Sequence, residues 1–285
     1  MSEPENQITE ATPPPADAAP APPPVNNVLP PPPPPAPRRD DAPQMSTPET
    51  LSGIFFEPGR TFEALRARPR FLVAAVIMVV IFLAWNAAFF SKVDYAEMVR
   101  STIENSPQAE QLTPEQREQQ IRIQSSPVVK WIAIAAPVLA VPIFLAIGGA
   151  LYLLGSMAMG KGISYKQAIS VWAYSSLPPL LLVMLANIVM VMIRPPAIED
   201  AAVASRGMVR LNPGVAIDKM AHPILATALG SVDLFAIYGL VLAAVGLRKV
   251  ARMSSGAAWT VVLGLYLLGL LFKLGIAAIS GQPMA

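Results

Sequence analysis

Long apolar runs separated by short polar segments dominate the chain from residue 71 onwards. Five of these runs exceed the roughly 18 residues that suggest a bilayer-spanning helix, and they carry few or no charges. Their predicted bounds are Phe71–Phe90, Trp131–Leu154, Ala168–Ile193, Pro223–Leu247 and Ala257–Ile279. The pattern predicts an all-α integral membrane protein in which residues 71–285 form a five-span transmembrane helical bundle.

The first 50 residues have the opposite character, because they are rich in proline and contain almost no large apolar side chains. Such a segment favours polyproline II and cannot bury enough apolar surface to fold. We therefore predict a disordered, proline-rich cytoplasmic tail over residues 1–50. It is either a ligand for a cytoplasmic protein partner or a spacer. Its polar, acidic start is unlike a cleaved signal peptide, which favours a first span that stays in the membrane.

Residues 51–70 combine aromatic and basic side chains immediately before the first span. A basic amphipathic segment in this position is expected to lie in the membrane interface, against anionic headgroups. We therefore predict an interfacial anchor formed by Phe55, Phe56, Pro58, Arg60, Phe62, Arg66, Arg68 and Arg70. The alternative is a simple positive flank that only orients the first span.

The distribution of basic residues around the spans indicates the orientation of the chain. Lys and Arg are concentrated in the short segments 51–70, 156–167 and 248–256, whereas the longer segments 91–130 and 194–222 also carry many acids. This distribution predicts a cytoplasmic N-terminus and a C-terminus outside. Aromatic residues near the span ends, among them Trp131 and Trp172, are expected to form interfacial belts.

Local signals predict where some polar segments become helical. Thr113-Pro114-Glu115-Gln116 has a capping residue, a proline in the first turn and a glutamine that completes a capping box, so we predict a helix from Pro114 to about Gln124. Ser164 begins the third span with a similar capping box. The segment 194–222, with its Pro and Asn-Pro-Gly turns, is predicted to be irregular.

A few polar residues lie inside the apolar runs, where such side chains are costly and usually paired. Asp233 and Lys273 are predicted to lie at nearly the same depth on the last two spans, which suggests an ion pair between them. The alternative is that Lys273 extends to the interface and Asp233 bonds to a hydroxyl or an amide. With Asn86 and Asn187 they would form an intramembrane polar layer, which is either an ion or substrate site or a set of hydrogen bonds that fixes helix register.

Prolines are expected to kink two of the spans. Pro137 and Pro142 lie in the second span, and Pro178-Pro179 lies in the third. A broken helix can line a transport site, and a static kink is the alternative. Small residues four apart, such as Gly239 and Ala243, allow close helix packing and leave a homo-oligomer open without supporting one.

Composition excludes several classes of function. Only 14% of the residues are charged and 53% are hydrophobic, and the net charge of +2 gives no reason to expect a nucleic-acid partner. The chain has no cysteine and one histidine, His222, so thiol catalysis and histidine- or cysteine-based zinc sites are not expected. No Ser/His or paired-Asp set suggests an enzyme. We expect no metal, no cofactor and no catalytic residue.

Several short motifs together resemble a known family. They are Phe56-Glu57-Pro58 with Phe62 and Leu65, Val232-Asp233-Leu234-Phe235, Gly239-Leu240-Val241-Leu242 and Gly246-Leu247, with Ser254 and Ala257 before the last span. The pattern is similar to the bacterial branch of the Yip-one domain family, a Rab-GTPase-interacting protein family, over about Leu51–Ile279.

The resemblance implies a membrane fold and a non-enzymatic role in membrane organisation or trafficking. Eukaryotic relatives bind Rab-type GTPases, but the Asp-Leu-Tyr-Gly-Pro type motif of those relatives is absent before the first span here. We therefore expect a scaffold or adaptor in the bacterial cytoplasmic (inner) membrane, with the lipid bilayer as its first partner. The alternative is a small-solute or ion transporter or channel that uses the polar layer around Asp233 and Lys273.

Overall fold

The computed structural model describes residues 45–106, 109–217 and 221–284. About 80% of these residues are helical and none lies in a strand, which confirms the all-α prediction. The helices are α1 Thr47–Phe56, α2 Pro58–Ala67, α3 Leu72–Lys92, α4 Tyr95–Glu104, α5 Pro114–Gln124, α6 Pro127–Ala135, α7 Pro137–Ala158, α8 Tyr165–Ile193, α9 Ile198–Ala204, α10 Pro223–Ser231, α11 Leu234–Val250 and α12 Ser255–Ser280.

Most of the predicted tail lies outside the described residues. Its last residues do not, because α1 begins at Thr47, inside the range 1–50. The Ser46 hydroxyl accepts a hydrogen bond from the Glu49 amide, and the Glu49 carboxylate accepts one from the Ser46 amide. This capping box satisfies the first amides of α1 and moves the start of ordered helix upstream of the predicted boundary.

The apolar helices match the predicted spans. In the described part of the chain, four helices are long and apolar enough to cross a membrane, and there are five if α10 and α11, bent by 48°, form one span. The second predicted span consists of α6 and α7, which are separated at Ala136 because the next residue, Pro137, has no backbone N–H. The apolar pattern therefore identified the spans but not the break inside the fourth.

The long helix α8 is the centre of the bundle. It packs against α3, α7 and α11, while α12 packs on α10 and α11 at the edge. Tyr174 and Leu177 of α8 are completely buried. The near end of the bundle is defined here as the end at which α3, α8 and α12 begin, and the far end as the opposite one.

The local cap signals give helices with the expected starts. α5 spans Pro114–Gln124 and begins with a capping box at Thr113, and Ser164 caps α8 in the same way. The prediction of irregular chain over 194–222 was only partly right, because Ile198–Ala204 forms α9. That short helix buries Ala201 and Ala204 in a small apolar cluster with Trp85 of α3, a tertiary contact that its composition does not show.

Candidate functional site

The fourth span is interrupted at Val232-Asp233, between α10 and α11. Asp233 has an extended backbone and is the N-cap of α11: its Oδ1 accepts a hydrogen bond from the Phe235 amide at 2.8 Å. At the other side of the break, the Tyr266 hydroxyl of α12 donates to the Ser231 carbonyl at 2.6 Å. Two backbone groups at the break, the Phe235 amide and the Ser231 carbonyl, thus have side-chain partners, as non-helical backbone inside a span requires.

Asp233 also forms hydrogen bonds with residues that precede α10 in the chain, at the far end of the bundle. Its Oδ2 accepts hydrogen bonds from the Leu211 amide at 3.1 Å and from the Asn212 side-chain amide at 3.4 Å. The Leu234 amide in turn donates to the Leu211 carbonyl at 3.2 Å. The carboxylate therefore joins the break in the fourth span to residues 207–212, which we name the far-end segment.

Two other helices bind the same region. Asn187 of α8 is buried, and its Oδ1 accepts from the amides of Met208 and Val209 at 2.5 and 2.7 Å. Trp85 of α3 donates from Nε1 to the Ser205 carbonyl at 3.2 Å, one residue before Arg206. Side chains from α3, α8 and the α10–α11 break therefore all hydrogen-bond to backbone within residues 205–211.

The structure does not form the Asp233–Lys273 ion pair. No salt bridge between them occurs in the described ranges, and the Asp233 oxygens are bonded to amides instead. Lys273 is exposed on α12. The physical reason is that the amides of the far-end segment and of α11 reach Asp233 from closer by, so the charge is compensated without the lysine.

The other residue of the predicted polar layer lies at a different break. The Asn86 side chain of α3 donates to the Ile134 carbonyl at 3.2 Å, in the last turn of α6 before the interruption at Ala136. Asn187 and Asp233 share the far-end segment, whereas Asn86 and Lys273 do not reach it. Of the four residues of the predicted polar layer, the structure therefore brings together only Asn187 and Asp233.

An apolar cavity of about 650 Å³ lies among α3, α7, α8 and α11, next to this break. Phe235 and Gly239 of α11 form part of its wall, opposite Phe144 of α7 and Phe82 of α3. None of its lining side chains is charged. The cavity is therefore suited to an apolar occupant and offers no coordination to an ion.

Trp172 forms another part of the cavity wall, which differs from its predicted place in an interfacial belt. Its ring lies 4.7 Å from that of Tyr152 and 5.4 Å from that of Phe144, measured between centroids. A Cβ atom at Gly148 would come within 2.0 Å of the indole, so only glycine permits this approach of α7 to α8. Trp172 therefore packs between helices, and it is not a member of the interfacial belt.

At the near end, α1 and α2 form a two-helix cap on α8 and α11. Phe62 has 0% exposure and packs against Gly246, at which a Cβ would lie 2.9 Å from the phenyl ring. The predicted interfacial role of Phe62 is therefore wrong, because the ring is enclosed by protein. Phe56, which is 83% exposed, is available to the membrane interface.

Polar contacts also fix the cap to the bundle. Lys249 Nζ of α11 lies 2.6 Å from Glu63 Oε1 of α2, and the Gln167 side chain of α8 donates to the Arg66 carbonyl at 2.8 Å. The Arg70 guanidinium donates to the Met45 carbonyl. These contacts hold α1 and α2 against α8 and α11.

The remaining predicted anchor residues occupy different places in the cap. Arg60 and Arg68 are exposed, and Arg60 pairs with Glu57 at 3.2 Å. Pro58 is in the first turn of α2, and Phe55 is half-buried against the bundle core. Only part of the predicted set is therefore accessible to lipid headgroups.

A sequence model described as Yip1 domain matches residues 52–277. The chain belongs to the Yip1 domain family. The match begins in α1 and ends in α12, so the Yip1 domain contains the two-helix cap, the α10–α11 break and the cavity. Searches of curated proteins and of solved structures found no match.

Members of the Yip1 family are generally not enzymes. The described residues of this Yip1 domain contain no group of three or more His, Cys, Asp or Glu side chains that could bind a metal ion. Sequence reasoning missed Trp85 as the partner of the Ser205 carbonyl and Tyr266 as the partner of the Ser231 carbonyl at the break. A single aromatic residue in an apolar run gives no sign that it donates a hydrogen bond to a particular carbonyl, because the carbonyl belongs to a residue far away in the sequence.

Proposed function

We propose that this Yip1-family membrane protein is a bacterial-type, non-enzymatic scaffold or adaptor in the cytoplasmic (inner) membrane. In this proposal the near end faces the cytoplasm, and the proline-rich segment before residue 45 binds a protein partner there. The observation that supports it is the two-helix cap. Its buried Phe62 and its Glu63–Lys249 pair attach the two-helix cap to the bundle, directly after the proline-rich segment in the sequence.

The charge distribution supports the same orientation. The near end carries the exposed Arg60 and Arg68 and the exposed ring of Phe56. Basic side chains with an adjacent aromatic favour anionic headgroups, and basic residues are enriched on the cytoplasmic side of spans. The lipid bilayer is thus the first partner in this proposal, and the protein partner is the second.

The adaptor proposal is tested by crosslinking and affinity purification from native membranes with three forms of the protein. These are the full chain, a chain lacking residues 2–43, and a full-length chain in which Pro30–Pro35 is replaced by Gly and Ser. The last form keeps the length but removes the polyproline II preference. We expect both altered forms to lose the partner. Equal recovery from all three would refute an adaptor role for this segment.

Orientation is tested with single cysteines in this cysteine-free chain. Gly162→Cys lies at the near end, where a Cβ meets no atom within 4 Å, and Gln119→Cys lies on the exposed face of α5 at the far end. An impermeant maleimide added to intact cells is expected to label position 119 and not position 162. The reverse pattern would place the near end outside.

A small-solute transporter is the second candidate, and the interrupted fourth span favours it. Against it, Asp233 and Asn187 are already bonded to protein backbone, and the cavity has no charged lining. Uptake of a solute or ion that changes in Asp233→Asn membranes, at equal protein level, would support transport.

A further inference from the structure

The apolar cavity among α3, α7, α8 and α11 is long enough to hold a single hydrocarbon chain. Its wall on α8 runs from Trp172 to Val183, eleven residues further on, which at 1.5 Å per residue is about 16 Å. The hydrocarbon layer of one bilayer leaflet is about 15 Å thick, half of the usual core. Its volume of about 650 Å³ is within the range of ligand-binding cavities.

The chemistry of the wall selects against polar occupants. The lining combines aliphatic and aromatic side chains with a few polar groups, which are the hydroxyls of Tyr152, Ser175 and Ser176 and the indole N–H of Trp172. That N–H is buried and has no hydrogen-bond partner among the described residues. Ser175 already donates to the Trp172 carbonyl at 3.1 Å. A polar solute that entered would lose its hydration without gaining enough hydrogen bonds, which is unfavourable.

Two residues of the cavity lining also lie on the surface of the bundle, within the second span. Ala140 and Phe144 of α7 line the cavity and are also exposed, the phenyl ring to 46%. α6 and α7 together form a candidate span, so exposed side chains in this stretch face the hydrocarbon of the bilayer. The cavity therefore reaches the surface of the bundle within this candidate span.

We propose that this cavity binds one acyl chain of a bilayer phospholipid, which enters laterally past Ala140 and Phe144. The aromatic rings of Phe144, Trp172 and Phe82 surround the chain. The interruption at Asp233 leaves α11 at an angle to α10, and the first two turns of α11 form part of the cavity wall. This site does not depend on the proposed adaptor role.

The test is photolabelling in nanodiscs with a phosphatidylcholine that carries a diazirine in its acyl chain, followed by mapping of adducts by mass spectrometry. Gly239→Phe fills the cavity, because a Cβ there makes only ordinary contacts, 3.5 Å from Pro179 Cγ and 3.7 Å from the Ser175 carbonyl. Ala140→Phe obstructs the mouth independently. Gly264→Phe on α12 is the matched control, since its Cβ meets no atom within 4 Å.

We expect adducts on the buried part of the cavity wall, at Tyr152 and Ser175, to fall at least about tenfold in both cavity variants, which corresponds to a steric cost of about 1.4 kcal/mol. The control should keep the wild-type level, and adducts on the exposed Phe272 of α12 should not change. Size-exclusion profiles and unfolding temperatures verify that each variant is folded.

Three results would overturn the proposal. Wall adducts could persist in both folded cavity variants, or they could be no more frequent than adducts on Phe272 in the wild type. The third is wall labelling by a diazirine fatty acid that an excess of phosphatidylcholine does not displace. Each result would mean that the cavity does not select a phospholipid chain.

Discussion

Asp233 stabilises the far-end segment through two hydrogen bonds, and its replacement has a calculable effect on local opening. Leucine at this position removes the bonds to the Leu211 amide and to Asn212. Hydrogen bonds within membrane proteins contribute about 0.6 kcal/mol each on average, so opening of the segment becomes easier by about 1 kcal/mol. The loss of the α11 N-cap costs about 1 kcal/mol more in global stability.

Trypsin cleavage measures this opening directly, because Arg206 and Arg210 lie in or beside the far-end segment. When opening and closing are faster than cleavage, the cleavage rate follows the open population. Asp233→Leu is therefore expected to be cut at Arg210 about fivefold faster than the wild type, since 1.4 kcal/mol is a tenfold change. Asp233→Asn retains one acceptor oxygen, which can serve either the Phe235 amide or the far-end segment but not both, so its cleavage rate should lie between those of the wild type and Asp233→Leu.

Lys273→Leu separates this explanation from an ion pair. The lysine makes no salt bridge in the described part of the chain, so its removal should leave cleavage at Arg210 unchanged. The reasoning is refuted if Lys273→Leu accelerates cleavage as much as Asp233→Leu does. It is also refuted if Asp233→Leu is cut no faster than the wild type under conditions in which both proteins are folded.

Further predictions concern the two-helix cap. Phe62→Ala should lower the free energy of unfolding by about 3–5 kcal/mol, measured by denaturation in detergent, because the completely buried ring leaves a cavity. Lys249→Glu should destabilise by about 1 kcal/mol or less, since the pair is about one-third exposed, and adding Glu63→Lys should restore stability in a double-mutant cycle. The hydrogen bond from the Ser46 amide holds the pKa of Glu49 below its usual range, so its contribution to α1 is present above that range and is lost as the pH falls through the lowered pKa. Amide hydrogen exchange in the first turn of α1 should therefore show loss of protection at acid pH, and a Glu49→Gln variant that shows the same loss would contradict this assignment.

The position of Asp233 within an apolar run could be read from the sequence, but its partners could not. Its position along an apolar run places it inside the predicted fourth span and indicates that its negative charge needs a partner. Which group compensates its charge depends on the path of residues 207–212 at the far end. Asn187 of α8 binds that segment directly, and Trp85 of α3 binds Ser205 just before it. Depth matching with Lys273 considered only the last two spans and therefore omitted the amides that are closer.

The two-helix cap illustrates the same limit for an amphipathic segment. Aromatic and basic residues before a span satisfy the pattern of a lipid-facing helix and that of a helix packed on protein equally well. Gly246 decides between them for Phe62, because the missing side chain leaves room for the ring on α11. Phe56, on the same segment, has no such complement and stays exposed.

The sequence by itself determined the apolar spans, the capped starts of α5 and α8 and the family, because length, composition and cap residues are local properties. Only the tertiary structure decided that the fourth span is broken, that its aspartate binds a neighbouring segment, that Phe62 is core and that a cavity lies among α3, α7, α8 and α11. These features arise from contacts between residues far apart in the chain, such as Glu63 and Lys249. A one-dimensional pattern shows that a polar or aromatic side chain needs a partner, and packing determines which partner it has.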